Sequence, residues 1–469
     1  MAMKKRTLLA VVSSLCVVAL AFGGCMPQKA NQTTDVTEDG KIRVSVGNWP
    51  PDNDTARIET FNKYIEKMNE KYPEIEIVKD TWSYDVSTFL PKAASGSLPV
   101  VFQTYFTECN KIIDAKYAKD ITKQVKDWGY DKKINPQLLK LVERDEKIYG
   151  IPSSAYVLGL ACNVALYKEA GLVDSEGIPL FPETYDEMLQ NAITIKEKTG
   201  KAGFFLPTTN NMGGWQFVAI ARGFGAEFVE QKDGKWKAIF NSPECEEAMQ
   251  FIKDLKWKYN VLQDDVLCSV DEFYKLYGNN QVAMGIMQGA LHSLPVRLYN
   301  MKHENASMTS MVGGKAGRYA LLGGTVNIIS PNATDAQVDG AIKWLEITGV
   351  TPEVTEQTEE SWRIKFEEQK ASNRIIYDFD FNIWDNEDWK TRRREVIKPY
   401  VNVDERLFDR YTDYSSIELR SEPEANAQDL YALLDSALQT VLTEKDADVK
   451  TVLAQAAESF QKNYLDKIN

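Results

Sequence analysis

Between Ile42 and Phe102 the spacing of apolar residues switches back and forth between two periods. Ile42, Val44 and Val46 alternate, the mark of a strand with one face buried. Ile58, Phe61, Ile65, Met68 and Tyr72 then recur at three and four residues, which is one face of a helix. Asp54 or Thr55 caps that helix and Pro73 stops it. Ile75 and Ile77 begin a second strand that ends near Trp82, and a short helix is expected over 89–94. After Ser95-Gly96-Ser97-Leu98-Pro99, Val100, Val101 and Phe102 form a strand of the fully buried type. The β-α-β-α-β order predicts an α/β unit around a parallel sheet. In such sheets a ligand sits at the carboxyl ends of the strands, and Trp49, Trp82 and Tyr105 all fall just past predicted ends.

With 469 residues, the chain is long enough for two domains, each with a core of its own. The middle continues in the α/β style. Thr184-x-x-Glu187 reads as a capping box. Ser242-Pro243 opens another helix, with Ala248, Phe251, Ile252 and Leu255 on its buried face. A strand is expected over 281–287, and from about Phe366 onward the chain reads as mainly helical and rich in polar residues.

The amino terminus reads as an address. Lys4, Lys5 and Arg6 precede an apolar run from Leu8 to Phe22, the length of a signal peptide core and short for a bilayer span. Phe22-Gly23-Gly24-Cys25 resembles a bacterial lipobox, with Phe22 where Leu is usual. Residues 1–24 are therefore expected to be a signal peptide, Cys25 the lipidated residue, and 25–40 a polar tether. This places the chain on the outer face of the cytoplasmic membrane, held by its lipid. Cys109, Cys162, Cys245 and Cys268 remain. Their spacing is no zinc pattern, and free thiols and any of the three full disulfide pairings stay open.

Several chemistries are disfavoured. A formal charge of −13 repels phosphate, so no nucleic-acid partner is expected. There are two histidines, His292 and His303, with no nucleophile elbow nearby; both read as surface or loop residues. Asp52-Asn53-Asp54 reads as helix capping rather than a calcium loop, and Arg392-Arg393-Arg394 as a solvated helix face. A glycosidase pair of carboxylates is not ruled out by counting alone.

Four stretches in order carry a resemblance. They are Lys147-Ile148-Tyr149-Gly150-Ile151-Pro152 with Asn163 to Leu172; Pro182-Glu183-Thr184-Tyr185-Asp186-Glu187; Val282-Ala283-Met284 leading to Gly289; and Leu322-Gly323-Gly324-Thr325 with a following strand and helix. Behind a lipobox, they resemble the carbohydrate-type solute-binding proteins of bacterial ABC importers, the class that includes maltodextrin-binding proteins. The chain departs from that class at Val100, Cys162, Leu291 and Thr325. The resemblance implies an α/β, two-lobed periplasmic-binding-protein-like fold with several hinge crossovers. Lobe 1 would be 41–153 plus 325–365, and lobe 2 would be 154–324 plus 366–469. It further implies a monomer without cofactor or metal that is not an enzyme, captures a sugar or oligosaccharide, and delivers it to an ABC permease in the membrane.

Sugar recognition needs flat apolar faces ringed by amides and carboxylates. On that chemistry the ligand contacts expected from the first lobe are Asn48, Trp49, Trp82, Tyr105 and Glu108. From the second they are Tyr156, Asn211, Trp215, Gln216 and Gln288. Gly324, Thr325 and Trp362, beside the later crossovers, complete the set. The polar stretch Asn210 to Trp215 is read as a loop. The alternatives are a surface-anchored glycoside-active enzyme, or the same fold holding a peptide.

Overall fold

The computed structural model describes residues 35–468. The signal segment, Cys25 and most of the tether lie outside the described residues. Strand β1 (Ile42–Val46), helix α1 (Thr55–Lys71), β2 (Ile75–Lys79) and β3 (Val101–Tyr105) follow the order read from the sequence. β1 lies in parallel between β2 and β3, and Asp54 caps α1 by accepting from the Arg57 N–H.

The chain then runs through β4 (Gly150–Asn163), α2 (Tyr185–Thr199), β5 (Ala202–Phe205), α3 (Met212–Phe224), α4 (Pro243–Trp257), β6 (Val282–Gln288) and β7 (Ala306–Ser310). It closes with β8 (Tyr319–Ile329), α5 (Asp335–Ile347), α6 (Glu356–Ala371), α7 (Glu387–Ile397), β9 (Glu418–Ser421), α8 (Ala427–Thr443) and α9 (Val449–Asn463). One nine-stranded sheet links them in the order β2-β1-β3-β8-β4-β6-β5, with β7 also on β4 and β9 also on β8.

Two long strands make this sheet serve two lobes. β4 is 14 residues long. Its start pairs with β8 beside β3, and its end pairs with β6 and β7 in the second lobe. β8 runs antiparallel to it and crosses between the lobes in the other direction. A third crossing lies beside β4, where the Phe381 N–H donates to the Ala155 carbonyl at 2.9 Å.

The expected assignment of all of 366–469 to the second lobe fails here. Residues 384–397 return to the first lobe, where their tryptophans are buried. Trp384 packs edge-on against Tyr130 at 5.4 Å, and Trp389 against Trp362 at 5.1 Å. Arg393 is not on a solvated face either. It is buried and pairs with Asp378 at 3.2 Å and Asp380 at 3.0 Å. His292 is a core residue, its two ring nitrogens facing the carbonyls of Gly289 and Ser307. The four cysteines among the described residues are free and buried.

Candidate functional site

Directly paired residues of neighbouring strands share a face, as do residues two apart on one strand. Thr325 of β8 pairs with Tyr105 of β3, Asn327 with Gln103, and Gly323 with Tyr156 of β4. One face of the crossover therefore carries Gln103, Tyr105, Thr325 and Tyr156. Gln288 pairs with Leu158, two residues beyond Tyr156, and joins the same face. Gly323 is required there, since a Cβ would stand 2.6 Å from the Tyr156 ring.

A chain of polar groups runs along this face. Asn48 Nδ2 donates to Gln103 Oε1 at 3.4 Å, and Gln103 Nε2 to Ser153 Oγ at 2.8 Å. Ser153 and Ser154 each share a hydrogen bond with Thr325 Oγ1, at 2.7 and 2.8 Å. Both serines reach the threonine because the pairing shifts register between Thr325 and Val326. Beside this chain stands an aromatic wall. Trp82 meets Tyr84 edge-on at 6.4 Å, and Tyr84 meets Tyr105 edge-on at 5.9 Å. Tyr105 is 44% exposed, a large aromatic surface left open at a strand end.

The second lobe supplies Trp215, edge-on to Tyr156 at 6.2 Å. The stretch expected as a loop here is the start of a helix. The side chain of Asn211 does not cap α3. Asp435, far along the chain on α8, accepts from the N–H groups of Asn211 and Gly214 at 2.7 Å each. The Asn211 amide is spent on Gln428, donating to its carbonyl at 3.0 Å and its Oε1 at 3.1 Å.

Where β3 stops at Thr325 and β9 stops at Leu322, the edge of β8 is left unpaired at Gly323 and Gly324. A cavity of about 980 Å³ opens beside this gap, within the range of small-ligand sites. Glu108 and Asn110 line it from the first lobe, and Trp236, Glu422 and Asn426 from the second. Asn110 donates across it to the Glu424 carbonyl at 3.2 Å, and Gln428 to Thr107 Oγ1 at 3.3 Å. Glu108 is buried and accepts from the Tyr84 hydroxyl at 2.5 Å. Glu422 accepts from the Tyr431 hydroxyl at 3.1 Å. Burial pushes the Glu422 carboxyl up to about 7, against the pull of Tyr431, Trp215 and Arg222.

This shift has a sign for stability. A carboxyl that holds its proton more tightly when folded penalises the fold as pH rises from its ordinary 4.5 to about 7. Glu422→Gln should therefore be more stable than the parent at pH 8, by about 1 kcal/mol after allowing for solvent access. The gain should vanish below pH 4.5. Urea melts across this range measure it, and a variant less stable than the parent at pH 8 would refute it.

The structure gathers Asn48, Trp82, Tyr105, Glu108, Tyr156, Trp215, Gln288 and Thr325 around the crossover. It does not bring the rest to an open face. Trp49 stacks on Trp344 at 6.3 Å and meets Phe61 edge-on at 4.9 Å, in the first lobe's core. Trp362 is buried against Trp389. Gln216 is 1% exposed and donates to the Ile286 carbonyl at 2.9 Å. A Cβ on Gly324 would stand 2.5 Å from the Phe106 ring, so that glycine serves packing. Tyr84, Gln103 and Glu422 are missing from the sequence reading. Gln103 lies two residues before Tyr105 on β3, so strand alternation pointed at it, whereas Tyr84 lies in the loop after β2. Nothing local marks Glu422.

A family model for bacterial extracellular solute-binding proteins matches residues 52–346. A multiple sugar-binding protein of Streptococcus mutans is 28% identical over 201 residues, 42% of each chain. An arabinooligosaccharide-binding protein of Halalkalibacterium halodurans is 23% identical over 237 residues, 48% of this chain and 50% of that one. The match thus spans about half the length of these curated relatives, or less. Among solved structures, an ABC substrate-binding protein of Listeria monocytogenes in complex with cycloalternan superposes with a TM-score of 0.67. It is 16% identical, covering 90% of this chain and 99% of that one.

Proposed function

This chain belongs to the bacterial extracellular solute-binding protein family, and on that premise we propose that it captures a sugar or oligosaccharide between its lobes for an ABC permease. The observation that carries this reading is the single face bearing Tyr105 and Tyr156 beside the Asn48–Gln103–Ser153–Thr325 chain. Aromatic planes take the C–H faces of a pyranose, and the amide and hydroxyl chain takes its hydroxyls. Two antiparallel strands and a third crossing join the lobes, the geometry of hinge closure over a ligand. Lipidation at Cys25 would hold the protein at the membrane where the permease sits.

Calorimetry against a panel of neutral oligosaccharides, with peptides and phosphate esters as controls, tests the assignment. Heat with the controls and none with any sugar would overturn it. One observation favours a second reading, a glycoside-active enzyme: Glu108 and Glu422 meet at one cavity, both held above the ordinary carboxyl range by burial. Release of shorter products from the panel by the pure protein would favour that reading over simple capture.

A further inference from the structure

The three crossings between the lobes stand side by side. Ala155 of β4 pairs with Gly324 of β8 on one side and with Phe381 of the third crossing on the other. The cavity described above opens beside β8. A second cavity, of about 600 Å³, opens at the opposite edge, beside the third crossing. Asp378, Asp380 and Phe381 of that crossing line its floor. Helix α7 of the first lobe walls one side, and residues 405–414 of the second lobe wall the other. Phe408 and Tyr411 anchor that second wall against His292 and Phe379.

Charge in this cavity is unevenly spent. The acidic side chains lining it are Asp378, Asp380 and Glu405. Buried Arg393 already holds the two aspartates, at 3.2 and 3.0 Å, and Lys365 stands 4.0 Å from Asp380. The cations lining it are Lys390, Arg394 and Lys398, four residues apart on one face of α7 and its C-cap. Lys390 pairs with Glu387 at 2.6 Å. Arg394 and Lys398 pair with no carboxylate among the described residues, so two free cations stand against Glu405 alone. Tyr414 meets Phe381 edge-on at 5.7 Å and gives the cavity an apolar wall. Among the described residues nothing bonds the Tyr414 hydroxyl.

We propose that this rear cavity is a second ligand site, for a small organic dianion: a bisphosphate or dicarboxylate whose charged groups lie about 6 Å apart, the rise of four helical residues between Arg394 and Lys398. The carbon body of the ligand rests on Phe381 and Tyr414, and the Tyr414 hydroxyl donates to one charged group. Arg393 acts from behind the floor. By neutralising Asp378 and Asp380 it removes the like charge that an anion would otherwise meet there. The crossings separate this site from the face bearing Tyr105, so the two sites fill independently of whether the front ligand is a sugar.

Calorimetry on the intact protein in about 0.15 M salt tests this with fructose 1,6-bisphosphate and glutarate as dianions and orthophosphate as an anion with a single charged centre. At least one dianion should bind at one site per chain, about tenfold or more tighter than orthophosphate. Joint substitution Arg394→Gln and Lys398→Gln should weaken it about tenfold or more. Both side chains are exposed, so the fold should tolerate the change, and melts check this. Tyr414→Phe removes one donor while keeping the wall, and should weaken the dianion about fivefold. Lys198→Gln, at an exposed lysine on α2, and Tyr105→Ala should leave it unchanged. Silence from both dianions overturns the proposal, as does an affinity unmoved by the substitutions at 394, 398 and 414. Loss of dianion binding in Tyr105→Ala would place the anion at the front face and overturn it too.

Discussion

Gly214→Leu should cost about 3 kcal/mol or more of folding stability and leave little soluble protein. Gly214 lies in the first turn of α3, where that helix crosses α8. A Cβ there would land on the Tyr431 carbonyl and stand 2.6 Å from the Tyr431 Cα. The obstacle is backbone, which cannot swing aside as a side-chain tip does. Forcing the helices apart would also pull the Gly214 N–H from Asp435 and strand a buried carboxylate. Gly214→Ala makes the sharper comparison. Helix propensity alone favours alanine by about 1 kcal/mol, whereas the crossing disfavours it. Thermal and urea melts of both variants decide between the two. If Gly214→Ala melts higher than the parent, the helices are not as close as described.

Tyr105→Ala should do the opposite, leaving stability within about 0.5 kcal/mol and cutting ligand affinity ten- to a hundredfold, or about 1.4–2.8 kcal/mol. The residue is 44% exposed, so the fold buries only part of it. A ligand covering it would bury the part the fold leaves open. Trp49→Phe is the matched control. That side chain is 6% exposed against Trp344 and Phe61, so the substitution should lower the melting temperature and spare affinity. Calorimetry with the tightest sugar of the panel, beside melts of both variants, separates the roles. Unchanged affinity in Tyr105→Ala would remove the aromatic wall from the binding account.

Both tryptophans follow a predicted strand end, and only one stands beside the open face. Trp49 and Trp82 look alike in sequence because each follows an alternating apolar run. Their fates diverge because α1 and α5 close over one side of the β1–β2 edge. Phe61 and Trp344 from those helices take Trp49, while Trp82 turns toward Tyr84. The stretch Asn210 to Trp215 fails as a loop reading for a related reason. A pair of glycines marks a turn when seen locally, but here it marks the closest approach of two helices.

Periodicity and capping residues are local. They settled the strand–helix alternation, the parallel first lobe and the Asp54, Thr184 and Ser242 caps, because each depends on neighbours within a few residues. Contacts between distant segments carry no such signature. The return of 384–397 to the first lobe, the burial of Arg393 and the meeting of Glu422 with Glu108 were decided by tertiary packing alone. In each case a side chain was placed by what its partner strand or helix left open, which no window of local sequence contains.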